Sequence, residues 1–384
     1  MIAGIPKETF PGEKRVALVP TGVSILKKKG LDVVVEANAG AAAGFPDEAY
    51  REKGAEVVKS RAAVFSKADV VLQVRGFGAN PEKGKPDLAN AKKGQIYISF
   101  MEPLTAKDET AALAKQGVTS FAMELVPRIT RAQSMDALSS MANLAGYKSV
   151  ILAADHLPKI FPMMMTAAGT IVAAKVFIVG IGVAGLQAIA TAKRLGAIVH
   201  AYDIRPAVKE QVQSLGAKFV EMDLGAEDAE TKGGYAKAMD EEFYRKQREM
   251  MTKVVAESDV VITTAAVPGK KAPILVTEEM IRQMHPKSVI VDLAAERGGN
   301  CEGTEPGKVV EKHGVTIVGT TNIPADLPYN ASQAYSKNIT NFVALLIKDG
   351  ALEINLDDEI LAESIVTRDG EIANARVKET LGLP

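Results

Sequence analysis

The segment that most constrains this chain is Ala174 to Arg205, AKVFIVGIGVAGLQAIATAKRLGAIVHAYDIR. An apolar run, Val176–Val179, meets a turn with glycines at 180, 182 and 185, and Leu186–Leu195 follows with helical spacing. A second apolar run, Ile198–Tyr202, ends at Asp203. Each glycine has its own task in such a unit. The first permits a tight turn, the second lets the backbone approach a pyrophosphate, and the third lets the helix pack closely on the strand. Unpaired amides at the start of the helix then meet phosphate charge. Glycine turns alone are common, but here strand, turn, helix and second strand all occur in order. An acid at Asp203 can accept the ribose hydroxyls of NAD and would repel the 2′-phosphate of NADP. The segment predicts a Rossmann unit for NAD(H), with Gly180, Ile181, Gly182, Val183, Gly185, Asp203, Ile204 and Arg205 at the nucleotide. Arg205 pulls against that preference, because a guanidinium can pair a 2′-phosphate.

The rest of the chain alternates in the same style. Short apolar runs at Ile2–Ile5, Val33–Glu36, Val70–Val74, Ile96–Ser99 and Ser120–Met123 are separated by helical stretches such as Gly22–Lys29 and Lys107–Gln116. A second set has strands at Val176–Val179, Ile198–Tyr202, Lys218–Val220, Val260–Thr263, Val289–Asp292 and Val315–Val318. Alternating strands and helices imply parallel sheets covered on both faces, an α/β fold. Long helical patterns at Met135–His156 and Ser332–Lys348 flank the second set. The expected architecture is two Rossmann-like domains, the NAD domain (140–321) inserted into a discontinuous one (1–139 with 322–384), with a cleft between them. The most apolar window, Thr170–Ala192, is broken by Lys175 and the glycines and reads as strand–turn–helix rather than a membrane span.

Composition narrows the function. Lys and Arg number 46 against 47 Asp and Glu, so no basic excess exists to neutralise a phosphate backbone, and nucleic acid is not an expected partner. Cys301 is the only cysteine, which excludes an intrachain disulfide and a multi-cysteine zinc site. The N-terminus lacks the pattern of a signal peptide, so a soluble cytoplasmic protein is expected. His156, His200, His285 and His313 sit in no catalytic motif, and Cys301 and Met163–Met165 read first as packing residues.

A polar cluster precedes the first long helix. Gln133, Asp136 and Ser139 lie three apart and would share a helical face, with Arg128 and Arg131 upstream and Arg128 able to reach Asp136. Such a stripe suits a nicotinamide and its ribose; it equally suits helix capping and a solvated face. A further segment, Glu227–Gly234, is polar, and Gly233-Gly234 could hinge the charged amphipathic stretch from Tyr235 to Met251. That stretch could be a functional loop or an ordinary solvated helix.

The stretches PRITRAQSMDALSS, FPMMMTAAGT, VGIGVAGLQAIATAKRLGA, TKGGYA, ITTAAVPGKKAPIL and DLAAERGGNC, spread over most of the chain, resemble the NAD(H)-binding component, domain I, of proton-translocating nicotinamide nucleotide transhydrogenases. The resemblance implies that Arg128, Gln133, Asp136 and Ser139 surround the nicotinamide end of NADH. It further implies that Asp203 takes the adenosine ribose, and that Gly234 and Tyr235 ride on a mobile loop closing over the nucleotide. Ala265 and Ala266 would line the same site. Hydride would pass to NADP⁺ on a partner subunit, in a complex completed by membrane proton-channel subunits and a homodimer of this chain, which itself carries no membrane span.

The opening PKETFPGEKRVALVP also resembles alanine dehydrogenase, the rival reading. Arg15 matches that family's carboxylate-binding arginine. Arg75 stands where its catalytic lysine would be, Glu102 where its histidine would be, and Glu296 where its aspartate would be. A guanidinium that stays protonated is a poor proton shuttle. Direct hydride transfer between two nicotinamides needs no such shuttle; it needs placed rings and excluded water. A nucleotide-sensing regulator ranks third, since no extra partner-binding module is evident.

Overall fold

The computed structural model describes residues 1–221, 241–266, 269–348 and 350–383. The chain divides into two compact units, Met1–Met141 with Pro324–Pro384, and Ala142–Ile323.

The first unit is built on an eight-stranded sheet. Its order is Glu371–Ile372, Ile365–Arg368, Thr119–Ala122, Ile96–Phe100, Val70–Arg75, Ile2–Ile5, Asp32–Glu36, Glu56–Val58. The six N-terminal strands run parallel, and the two from the C-terminal tail add antiparallel at one edge. Three of the eight were not expected from sequence. Glu56–Val58 is a three-residue edge strand, too short to show a period. The tail pair is joined through Asp369-Gly370, both at positive φ, an Asp-Gly hairpin signal that the sequence does carry.

The second unit holds a seven-stranded sheet in the order Lys218–Phe219, Ile198–Tyr202, Lys175–Val179, Val260–Thr263, Val289–Asp292, Val315–Gly319, Val309–Lys312. All pairings are parallel except the last, an edge strand whose side chains are exposed or half-buried by turns. Val176 and Ile178 join a core with Val150, Ala188 and Ile189; Phe177 and Val179 join another with Met251 and Val255. A strand buried on both faces reads as an unbroken apolar run, which is why Val176–Val179 shows no alternation. The charged stretch after the undescribed residues forms the helix Glu241–Ala256; Met251 and Val255 cover the sheet, and Gln247 donates to the Tyr202 hydroxyl at 3.0 Å.

Four local expectations need correcting. The helix after the glycine turn spans Val183–Arg194, so it starts before Leu186 and takes Gly185 into its first turn. The long helical pattern from Met135 is two pieces: a 3₁₀ turn, Thr130–Met135, and the helix Ala137–His156, with Asp136 between them at ψ 86°. Gln133 and Ser139 therefore do not share one continuous helical face. Met163–Met165 are exposed rather than packed, because they lie in and beside a two-stranded ribbon, Met164–Thr166 with Gly169–Ile171, whose residues all face solvent. The second long helix runs Pro328–Leu345, begun early by a proline in its first turn. Among the described residues no helix is long and apolar enough to cross a membrane.

Candidate functional site

The strand order of the second unit reverses at Lys175–Val179, with Ile198–Tyr202 on one side and Val260–Thr263 on the other. In open α/β sheets the crevice beyond the carboxyl ends at such a reversal is where ligands bind. The glycine turn begins at that point.

Gly180 sits at φ +94°, and a Cβ there would meet Thr264 Oγ1 at 2.9 Å and the Ala265 amide nitrogen at 3.0 Å. Gly185 is required by proximity: a Cβ would lie 2.0 Å from the Gly180 carbonyl oxygen. Beside Gly182 there is open space, and this residue, the N-cap, offers no side chain to the first turn of Val183–Arg194. The amides at that helix start are thus left for an anion, and the residues present fit a dinucleotide pyrophosphate.

Asp203, 9% exposed, stands at the end of the neighbouring strand. Its Oδ2 accepts the Ile181 N–H at 2.7 Å and Arg205 Nη2 at 2.9 Å; its Oδ1 accepts the Arg205 N–H and Nε, each at 2.9 Å. Arg205 Nη2 also donates to the Ile181 carbonyl at 2.9 Å. Ile204, between them, is half-buried. Arg205 is thus turned onto Asp203 and the glycine turn.

Ala265 and Ala266 follow the strand Val260–Thr263. Thr264 Oγ1 donates to the Gly180 carbonyl at 2.8 Å, and Asn300 Nδ2 donates to the Ala265 and Pro273 carbonyls at 2.9 and 2.8 Å. Behind Asn300 stands a residue that the sequence did not single out. The fully buried Asp292 carboxylate accepts the amides of Ala294, Asn300 and Cys301 and the hydroxyls of Thr263 and Thr304, at 2.7 to 3.1 Å. Gly299, at φ +79°, leaves the space this requires, since a Cβ would lie 2.8 Å from Asp292 Oδ2. An acid closing an apolar strand before a glycine-rich polar loop was the available signal. Cys301 is buried in the core, and burial pushes its thiol up to about 11, away from nucleophilic use.

The polar cluster belongs to the first unit. Asp136 Oδ1 accepts the Ser139 N–H at 2.8 Å and Oδ2 its hydroxyl at 2.6 Å, capping the helix Ala137–His156. Gln133 and Arg128 are both exposed. Arg131 forks onto Asp358, with both contacts at 2.7 Å, and holds that carboxyl below its ordinary range. Gly234 and Tyr235 lie outside the described residues.

The first unit also contains residues on which a dehydrogenase would depend. Arg15, 3% exposed, is forked by Glu13, Nε to Oε1 at 2.8 Å and Nη2 to Oε2 at 2.6 Å, and its Nη1 donates to Met141 Sδ at 3.2 Å. Arg75 lies 4.1 Å above the Phe10 ring and 3.8 Å from Glu13 Oε2. Glu8 accepts the Val74 and Arg75 amides at 2.6 and 3.1 Å; burial, then the nearby Glu13 charge, raises it to about 8. Glu102 sits at φ +50°, and its amide and that of Met101 are held by Glu124, which burial and then the Glu102 charge raise to about 7. In the second unit, Glu296 accepts the Asn322 N–H at 3.1 Å. Among the described residues no group of three or more His, Cys, Asp or Glu is placed to hold a metal ion.

The sheet reversal, glycine turn and Asp203 define a dinucleotide-binding α/β protein. The chain belongs to the alanine dehydrogenase/PNT family: residues 4–145 match its N-terminal domain and 149–375 its C-terminal domain. It is 50% identical over 377 residues to the first-part polypeptide of NAD(P) transhydrogenase subunit alpha from Rhodospirillum rubrum, covering 97% of this chain and 98% of that one. The crystal structure of transhydrogenase from Sinorhizobium meliloti superposes with a TM-score of 0.87 at 47% identity, covering 97% of this chain and all of that one. Alanine dehydrogenase of Bacillus subtilis is more distant, 30% identical over 393 residues, covering all of this chain and 95% of that one.

Proposed function

We propose that the chain is the NAD(H)-binding component of a proton-translocating transhydrogenase, giving hydride from NADH directly to NADP⁺ held on a partner subunit. The observation that carries this reading is the contrast at Arg15. Its guanidinium is buried and already forked by Glu13, whereas the glycine turn keeps open space beside Gly182 and an uncapped helix start. The nucleotide half keeps what it needs, and the half that would hold an amino acid has committed its cation internally. In this reading Asp203 accepts the adenosine ribose, and Gly180 to Gly185 and Ala265–Ala266 receive the nucleotide. Arg128, Gln133, Asp136 and Ser139 orient the nicotinamide. The protein's catalytic contribution is ring placement and exclusion of water.

The same reading makes the chain peripheral to a membrane on its cytoplasmic side, through membrane proton-channel subunits, and a homodimer. Support for self-association comes from the exposed ribbon Met164–Ile171 and a groove lined by Ala154, Leu157, Ile160, Phe161 and Leu195. Replacing Gln133 by Ala tests the assignment. In the complex with an NADP(H)-binding subunit, single-turnover hydride transfer should slow roughly tenfold or more, while NADH affinity changes less than about threefold. Collapse of NADH affinity with an unchanged rate for bound nucleotide would remove Gln133 from the orienting role.

A further inference from the structure

Asp203 accepts four hydrogen bonds, two on each carboxylate oxygen. An ionised carboxylate offers about four acceptor sites, so all are in use. Two donors are backbone amides, those of Ile181 and Arg205, and come with the fold. The other two are Nε and Nη2 of the Arg205 guanidinium, one on each oxygen. A ribose diol delivers one hydroxyl to each oxygen, in the same two places. Guanidinium and diol cannot both occupy them.

We propose that Arg205 is a latch on the ribose site: its guanidinium must leave Asp203 before NAD(H) binds, and it thereby sets both affinity and the choice between NAD(H) and NADP(H). This rests on the reading that Asp203 takes the ribose. The geometry identifies the group that yields. The Ile181 amide is part of the glycine turn, but the guanidinium reaches Asp203 through a rotatable side chain that is 12% exposed, next to the exposed Pro206 and Ala207. Nη2 also holds the Ile181 carbonyl, so opening the latch frees the turn together with the acid.

For NAD(H), the two bonds from the guanidinium are exchanged for two from the diol, and the competent state is only the fraction in which the latch is open. Apparent affinity falls by that fraction. For NADP(H), a released Arg205 would attract the 2′-phosphate while the bared Asp203 carboxylate repels it. Removing Arg205 should therefore move the two nucleotides in opposite directions, a signature that loss of structure alone does not produce.

The test is titration of the full chain with NADH and with NADPH, followed by nicotinamide fluorescence, for Arg205→Ala, Arg205→Lys and Asp203→Asn. Arg205→Ala should tighten NADH roughly three- to tenfold and weaken NADPH. Arg205→Lys, whose ammonium cannot fork, should shift both the same way by less. If NADH weakens or stays unchanged in both arginine variants while Asp203→Asn alters the NADH-to-NADPH ratio, the latch is overturned and the ribose assignment stands. If Asp203→Asn leaves that ratio unchanged, the ribose assignment fails and the latch falls with it.

Discussion

The same local device occurs twice in this molecule. Glu13 and Arg15, and Asp203 and Arg205, are each an acid two residues before an arginine, with the arginine's own amide and its Nε on one carboxylate oxygen and Nη2 on the other. What differs is the setting. Glu13 and Arg15 are 0% and 3% exposed at their side chains, with Arg75 close by. Asp203 and Arg205 are 7% and 12% exposed, at a strand end beside the glycine turn and the exposed Pro206 and Ala207. A buried fork cannot release its guanidinium without stranding a charge in a dry interior; a fork at the rim can. On the proposed reading, the device closes a site in the first unit and guards one in the second.

Breaking the buried fork should have the largest effect. Glu13→Ala leaves Arg15 buried with its main counter-charge gone, and chemical denaturation should show a loss of about 3–5 kcal/mol. Asp203→Ala, at the rim, should cost less, about 1–3 kcal/mol for the donors left unsatisfied. Equal losses would mean that burial does not separate the two forks.

A third effect, small per pH unit, sharpens the same contrast through pH. Glu8 is raised in the folded chain from 4.5 to about 8, by burial first and by Glu13 second. The folded state therefore holds a proton there that the unfolded chain releases above its own lower pKa. Its contribution is fully present below pH 4.5 and declines as pH rises toward 8, by at most about 1.4 kcal/mol per pH unit. Glu8→Gln should flatten that decline in denaturation midpoints measured between pH 5 and 8. An unchanged slope would place the proton elsewhere in the cluster.

The nucleotide half was legible in the sequence because its geometry is local. Gly180, Gly185 and Asp203 lie within one strand–helix–strand unit, where spacing alone states the contact. Val176–Val179 and Val289–Asp292 were readable as strands because burial on both faces makes them unbroken apolar runs. Glu56–Val58 and Val309–Lys312, at sheet edges, had no such run to show. The hub at Asp292 was legible only as an acid closing an apolar strand: its donors come from residues 263, 294, 300, 301 and 304, which only the folded sheet brings together. The stripe through Gln133, Asp136 and Ser139 assumed one helix. Asp136 commits its carboxylate to capping at Ser139 and its backbone to breaking that helix. For Arg205, sequence suggested a partner for phosphate, and only the fold turns the guanidinium onto its neighbour's carboxylate.

If the amino-acid half is closed while the nucleotide half can be unlatched, the chain alone should hold NADH without consuming it. Nicotinamide absorbance, followed with stoichiometric protein, NADH, pyruvate and ammonium and with no partner subunit present, decides the matter. NADH should bind and should not be oxidised at an enzymatic rate. Steady oxidation at such a rate would contradict the closed half, because Arg15, Arg75 and Glu102 would then be serving a substrate despite the fork at Glu13.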